Sequence, residues 1–146
     1  MQTSTEQNKS IVVRFNKEVI EKGDMASFNE LVSANVINHA APPGAPNGPE
    51  SMSHFLFDIL RKGFPDIRVE ILDQVAEHDK VTSRKVLHAT HTGNFMGIAA
   101  SHKKVVIHVI DIIRIQDGRY AEHWGMSNLT EVIADISPNS KQAYSE

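Results

Sequence analysis

The chain contains no cysteine, which removes disulfides, thiolate nucleophiles, iron–sulfur clusters and thiolate zinc sites together. No apolar run approaches the roughly 20 residues of a membrane-spanning helix. The opening MQTSTEQNKS lacks the charged-then-apolar pattern of a secretion signal, so a soluble, cytoplasmic protein with no membrane partner is expected. Charge of neither sign dominates: 15 Lys+Arg stand against 18 Asp+Glu for a net charge of -3. A chain with so little basic excess, and no block of like charge, does not fit a sequence-independent nucleic-acid binder. Also missing are a Gly-rich phosphate loop, a serine nucleophile elbow and a paired-carboxylate motif, which sets hydrolytic triads aside. Any chemistry must therefore use oxygen or imidazole, and the eight histidines call for inspection position by position.

What is present fits one domain. The 146 residues, 40% of them hydrophobic, match a single core spanning residues 1–146, with an ordered part from about 8 to 137 and loose tails. Ile11, Val12, Phe15, Val19 and Ile20 make a helical stripe within Ser10 to Lys22, ended by Gly23. Asp24 then caps a short second helix, Met25 to Ser33. Val36 to His39 reads as a short strand, and the Pro- and Gly-rich AAPPGAPNG after it as an exposed loop. Pro49 opens a third helix with Met52, Phe55, Leu56, Ile59 and Leu60 on one face, stopped by Gly63 and Pro65.

Beyond Pro65 the period becomes two: Ile67, Val69 and Ile71 alternate, and Val81, Ser83, Lys85 and Leu87 alternate with Thr82, Arg84, Val86 and His88. KKVVIHVIDIIRI, Lys103 to Ile115, is the most β-prone stretch, and Asp117-Gly118 turns it into a strand from Arg119 to Met126. Leu129 to Ile136 reads as a last helix, and SPNSKQAYSE as a loose tail. Helices followed by a long meander predict an α+β domain with helices on one face of the sheet. A curved sheet wrapped round a helix leaves a cone-shaped interior for a small molecule.

The runs NGPESMSHFLFDILRKGFPDIRVEI, THTGNFMGI and VIDIIRIQDGRYAEHWGMSN, in this order across Ser10 to Ile136, resemble the SnoaL-like polyketide cyclase (ester cyclase) family of the nuclear-transport-factor-like, cystatin-like cone fold. The resemblance implies a homodimer through the outer sheet face, a cavity between the sheet and helices one and three, and chemistry without metal or cofactor. It further implies an acid/base aspartate in aldol closure, but the corresponding residue here is Gly125, and the cyclases' active-site histidine corresponds to Asp111. Both departures point away from aldol closure itself. Arg84 and His91 match family positions, and His123 falls where some cyclases also have histidine.

Asp111 interrupts the apolar run Val105 to Ile113, so if buried it needs a partner or its proton. A three-residue loop, Gln116 to Gly118, would set Asp111 opposite His123 as a carboxylate–imidazole dyad for general acid–base work. A two-residue Asp117-Gly118 turn would set Asp111 opposite Trp124 and turn His123 to the other face. The plain alternative is a structural Asp–His bond or a dimer-face contact. Around this proposed catalytic pair, Arg84 and His91 are candidates for binding a carbonyl or stabilising an enolate, or else a surface ion pair and a loop anchor. His39 is a candidate for the cavity mouth or a loop cap. Phe95, Trp124 and Met126 (with Met96) are candidates for an apolar pocket wall, or else for core and interface. A histidine metal site is disfavoured, because His88-x-x-His91 and His108-x-x-Asp111 place their members on opposite strand faces. Two function classes remain: a cofactor-free enzyme moving protons on a small, apolar, polyketide-like carbonyl compound by cyclisation or isomerisation, and a non-catalytic small-molecule-binding or dimerisation domain of the same fold.

Overall fold

The structure, a computed structural model, describes residues 3–138; the expected loose tail lies, from residue 139 onward, outside the described residues. Helix α1 (Thr5–Phe15) begins five residues before the expected start at Ser10, because Ser4 and Gln7 form a reciprocal capping box. It continues without a break as a π-helical segment, Asn16–Glu21. This wider turn carries Asn16 onto the buried side with Val19 and Ile20. Asp24 caps α2 (Met25–Leu31) by accepting from the amides of Ala26 and Ser27, as expected. Helix α3 starts at Pro49 (Pro49–Ser53) and runs through a second π-helical segment, His54–Leu60, into a last turn, Arg61–Gly63. Helix α4 spans Leu129–Ile136.

The strands are β1 (Val32–Asn38), β2 (Arg68–Glu77), β3 (Lys80–Thr90), β4 (Lys104–Gln116) and β5 (Arg119–Ser127). They form one open sheet in the order β1-β5-β4-β3-β2. β2 to β5 are an antiparallel meander, and β1 joins the far edge parallel to β5. The first strand is longer than expected, since the chain enters it directly from α2 at Val32. Fold class is α+β, with a mixed, unclosed sheet and helices on one side.

Alternation decides which residues meet the helices. On β3 the odd positions Val81, Ser83, Lys85, Leu87 and Ala89 are buried, and on β4 so are Val105, Ile107, Asp111, Ile113 and Ile115. Opposite them lie Val12, Phe15, Val19 and Ile20 of the first helix, and Phe15 stacks on Tyr120 at 4.3 Å between ring centroids. Each such fully buried apolar side chain contributes about 1.5–3 kcal/mol of burial free energy.

Gly93 lies where the end of α3 passes close to the segment after β3. A Cβ there would stand 2.0 Å from the Lys62 carbonyl oxygen, and backbone cannot yield as a side-chain tip can. Gly93→Ala should therefore lower stability by about 1–3 kcal/mol, the usual range for overpacking. A urea midpoint equal to that of the wild type would contradict this close approach.

Candidate functional site

The turn between β4 and β5 determines whether Asp111 and His123 can meet. Gln116 pairs with Arg119, so the connection is the two-residue form, with Asp117 at φ 53° and Gly118 at φ 76°. The three-residue loop is not formed. Yet the ladder then pairs Ile115 with Tyr120 and Arg114 with Glu122, leaving Ala121 as a bulge that restores the parity lost at the turn. Asp111 consequently opposes Gly125, Ile113 opposes His123, and both candidate residues face the helices. Their separation is diagonal, 4.0 Å from His123 Nε2 to Asp111 Oδ2, which is a charge contact and too long for a hydrogen bond.

The direct partner of Asp111 is Lys85. Its Nζ lies 3.0 Å from Asp111 Oδ2, with both side chains about 5–6% exposed. The same ammonium donates to Asn16 Oδ1 at 2.7 Å, and Asn16 Nδ2 donates to the Val12 carbonyl at 2.8 Å. The other carboxylate oxygen, Asp111 Oδ1, is buried and has no hydrogen-bond partner. On the opposite side of the imidazole, Nδ1 is 2.8 Å from Asn38 Oδ1. The site is thus built by the π-helical segment (Asn16), the end of β1 (Asn38), β3 (Lys85), β4 (Asp111) and β5 (His123). Tyr120 is buried nearby, and burial together with the charge of Asp111 pushes its phenol well above the usual tyrosine range.

The imidazole of His123 titrates below the ordinary histidine value. Burial dominates, the Asp111 charge opposes it, and Lys85 and His39 reinforce it. The ring leans over Gly125, where a Cβ would lie 3.1 Å from Nε2 and 3.2 Å from Cε1; the bare glycine leaves the space this pose needs.

The remaining sequence-predicted residues lie elsewhere. Arg84 projects from the other face of β3 and makes an exposed ion pair with Asp73, Nε to Oδ2 2.6 Å. His91 is wholly buried beyond the far end of β3, with Nδ1 2.9 Å from Ser101 Oγ and accepting from the Ser101 amide at 3.1 Å. Burial lowers its affinity for a second proton. Phe95 packs against Phe64 at 5.0 Å at that same end. Trp124 opposes Ile112 and Met126 opposes Ile110, so both face away from Asp111. His39 stacks on Trp124, ring centroids 4.7 Å apart, and places Nε2 2.8 Å from Glu122 Oε2. Of the eight candidates, the structure joins Asp111 with His123 on the helix-facing side and His39 with Trp124 on the other. Lys85 was legible as a cation on the apolar parity of β3, whereas Asn16, Asn38 and Tyr120 carried no local signal.

Among the described residues no group of three or more His, Asp or Glu is placed to hold a metal ion. No described helix is long and apolar enough to cross a membrane. A cavity of about 360 Å³ near the β4–β5 turn is lined by Thr3, Asn8, Asp79, Arg114 and Ile115, with Gln116 and Asp117; the Asp111 cluster is not part of its wall.

Two predictions follow from burial of these charges. Truncating Asp111 to alanine strands the Lys85 ammonium and should cost about 3–5 kcal/mol, while the paired replacement Lys85→Met with Asp111→Leu should recover most of that loss. Equal destabilisation by single and double variants in urea titrations would contradict a mutual pair. Second, His91 and His123 bind protons less readily folded than unfolded. Their stabilising contribution is complete above the unfolded-chain value of about 6.5 and is lost as pH falls below it. Unfolding free energy should decline from pH 7.5 to pH 5, less steeply in His123→Gln; a flat wild-type profile would contradict this.

Comparison with known proteins agrees with this architecture. The family model for SnoaL-like polyketide cyclases matches residues 10–136. Similar solved structures include TsrD from Streptomyces laurentii, at TM-score 0.80 and 21% identity over 92% of this chain and 98% of that one. AclR from Streptomyces galilaeus, which carries a provisional hydroxylase name, superposes at TM-score 0.80 with 23% identity over 91% and 82%. IdmH from Streptomyces antibioticus, provisionally called a polyketide cyclase, gives TM-score 0.76 and 25% identity over 89% and 98%. No curated protein matches the sequence. With the family model spanning both helical and sheet portions of the domain, the chain belongs to the SnoaL-like polyketide cyclase family.

Proposed function

We propose that this protein carries out acid–base chemistry, without a cofactor, on a small apolar carbonyl compound of polyketide type. The observation that carries the reading is a half-buried imidazole whose Nε2 stands 4.0 Å from a buried carboxylate on the helix-facing side of the sheet. In the proposed step, a C–H bond next to the substrate carbonyl breaks, its proton passes to His123 Nε2, and its electron pair becomes an enolate. The imidazolium so formed faces Asp111 Oδ2, which lowers the energy of that charge. Lys85 keeps a third N–H beyond its bonds to Asp111 and Asn16 and is the cation available to the enolate on this face. That role replaces the one expected of Arg84 or His91, neither of which is beside His123. Returning the proton to a different carbon is isomerisation, a step that does not require the aldol closure from which Gly125 and Asp111 depart.

A specific observation favours a second reading. Lys85 already bonds both Asp111 Oδ2 and Asn16 Oδ1, a connected network of the kind that serves structure alone. On that view the domain binds a small molecule or a second copy of itself without catalysis. Pairing of two copies belongs to both readings and is motivated by the outer sheet face, where Val106, Ile110 and Met126 are 44%, 53% and 83% exposed.

The deciding experiment incubates the protein with small ketones and 1,3-dicarbonyl compounds in deuterated water and follows α-proton exchange by NMR. Exchange should fall by roughly 100-fold or more in His123→Gln, the usual worth of a positioned base, with ligand binding retained. Binding without exchange would favour the second reading. Sedimentation at micromolar concentration should give a dimer, and a monomer would contradict pairing through the sheet.

A further inference from the structure

The imidazole of His123 is gripped from the side away from Asp111, and that grip determines which nitrogen is free. Asn38, the last residue of β1, begins the Pro-rich loop as an Asx turn, with its Oδ1 accepting the Ala40 amide at 3.1 Å. A backbone N–H can only donate, so the atom facing it is the side-chain oxygen and not the amide nitrogen. The same oxygen lies 2.8 Å from His123 Nδ1. An oxygen already identified as acceptor requires a hydrogen on Nδ1.

We infer that Asn38 is a positioning residue that locks neutral His123 in the Nδ1–H form, leaving Nε2 as a bare proton acceptor on the Asp111 side. Nδ1 keeps its hydrogen in both charge states, so protons are gained and lost at Nε2 alone. The lock works against the local field. With Asp111 Oδ2 only 4.0 Å from Nε2, an unrestrained neutral ring would place its hydrogen on Nε2 and turn it toward the carboxylate. Asn38 and the Ala40 amide hold the opposite form, and the bare Gly125 leaves the ring room to sit there. The inference deepens the reading of His123 as a base, because a base must offer its lone pair to the substrate.

His91 supplies an internal contrast. Its Nδ1 accepts from the Ser101 amide at 3.1 Å, so its neutral ring carries hydrogen on Nε2. The two rings should hold opposite tautomers in one molecule.

The test is long-range ¹H–¹⁵N NMR of the uniformly labelled protein without substrate, above the titration range of the ring, with His123 assigned from His123→Gln. In the wild type, His123 should show a pyrrole-like Nδ1 and a pyridine-like Nε2, and His91 the reverse. In Asn38→Ala the His123 pattern should invert, since Asp111 becomes its acceptor. Asn38→Asp keeps an acceptor for both donors, so it should retain the wild-type tautomer. It also adds a negative charge to a ring already surrounded by Asp111, Lys85 and His39, and so should raise the His123 pKa. A pyrrole-like Nε2 in the wild type, or an unchanged pattern in Asn38→Ala, would overturn the inference. Should Asn38→Ala fail to fold, Asn38→Asp decides it: a switched tautomer or an unraised pKa overturns. Since no substrate is present, a correct tautomer with no α-proton exchange would remove the enzymatic reading and leave the lock standing, and the converse pair of results would do the opposite.

Discussion

The ion pair between Lys85 and Asp111 is the interaction around which the interior of this domain is arranged. Two charges buried to about 5% exposure lose several kcal/mol of hydration each, and only close pairing with further hydrogen bonds offsets that loss. The neighbouring elements supply those bonds. The π-helical continuation of α1 brings in Asn16, itself fixed to the Val12 carbonyl. The bulge at Ala121 turns His123 to the same side, and Gly125 keeps the space beside the carboxylate open. Replacing such a pair by apolar side chains is often neutral or stabilising, so a carboxylate at the one polar position among the buried residues of β4 is not explained by packing alone.

The chemistry follows from how the carboxylate is divided. One oxygen of Asp111 is occupied by Lys85 and faces His123, and the other is buried without a partner. Buried polar atoms without partners are uncommon in folded proteins, and this one belongs to the same carboxylate whose Oδ2 stands 4.0 Å from His123 Nε2. Asp111 therefore acts on His123 through charge at 4.0 Å and not as the orienting hydrogen-bond partner of a dyad. Orientation falls to Asn38, on a different strand and the opposite ring nitrogen.

Much of this was legible in the sequence. Element order, the α+β class, the cap at Asp24, the helix start at Pro49 and the oddness of Asp111 all rest on local patterns, which the structure keeps. The shared face of Asp111 and His123 was reached through a three-residue loop that does not form; a two-residue turn followed by a bulge arrives at the same parity, and bulges leave no signature in a single sequence. Arg84 attracted the functional reading while its neighbour Lys85, on the buried parity of the same strand, held the carboxylate. Asn16 and Asn38 were not legible, because they act on residues 69 and 85 positions away and only the folded sheet brings them there. Trp124 and Met126 lie one step out of register with the site, which is enough to place them on the outer face.

The central claim is that the Asp111 carboxylate and the His123 imidazole are electrostatically coupled within one desolvated site. An NMR pH titration of His123 in the wild type and in Asp111→Asn measures this directly. A wild-type pKa below the ordinary histidine value, falling further once the Asp111 charge is removed and Lys85 remains, is the predicted result. An ordinary pKa that does not move between the two proteins would contradict it.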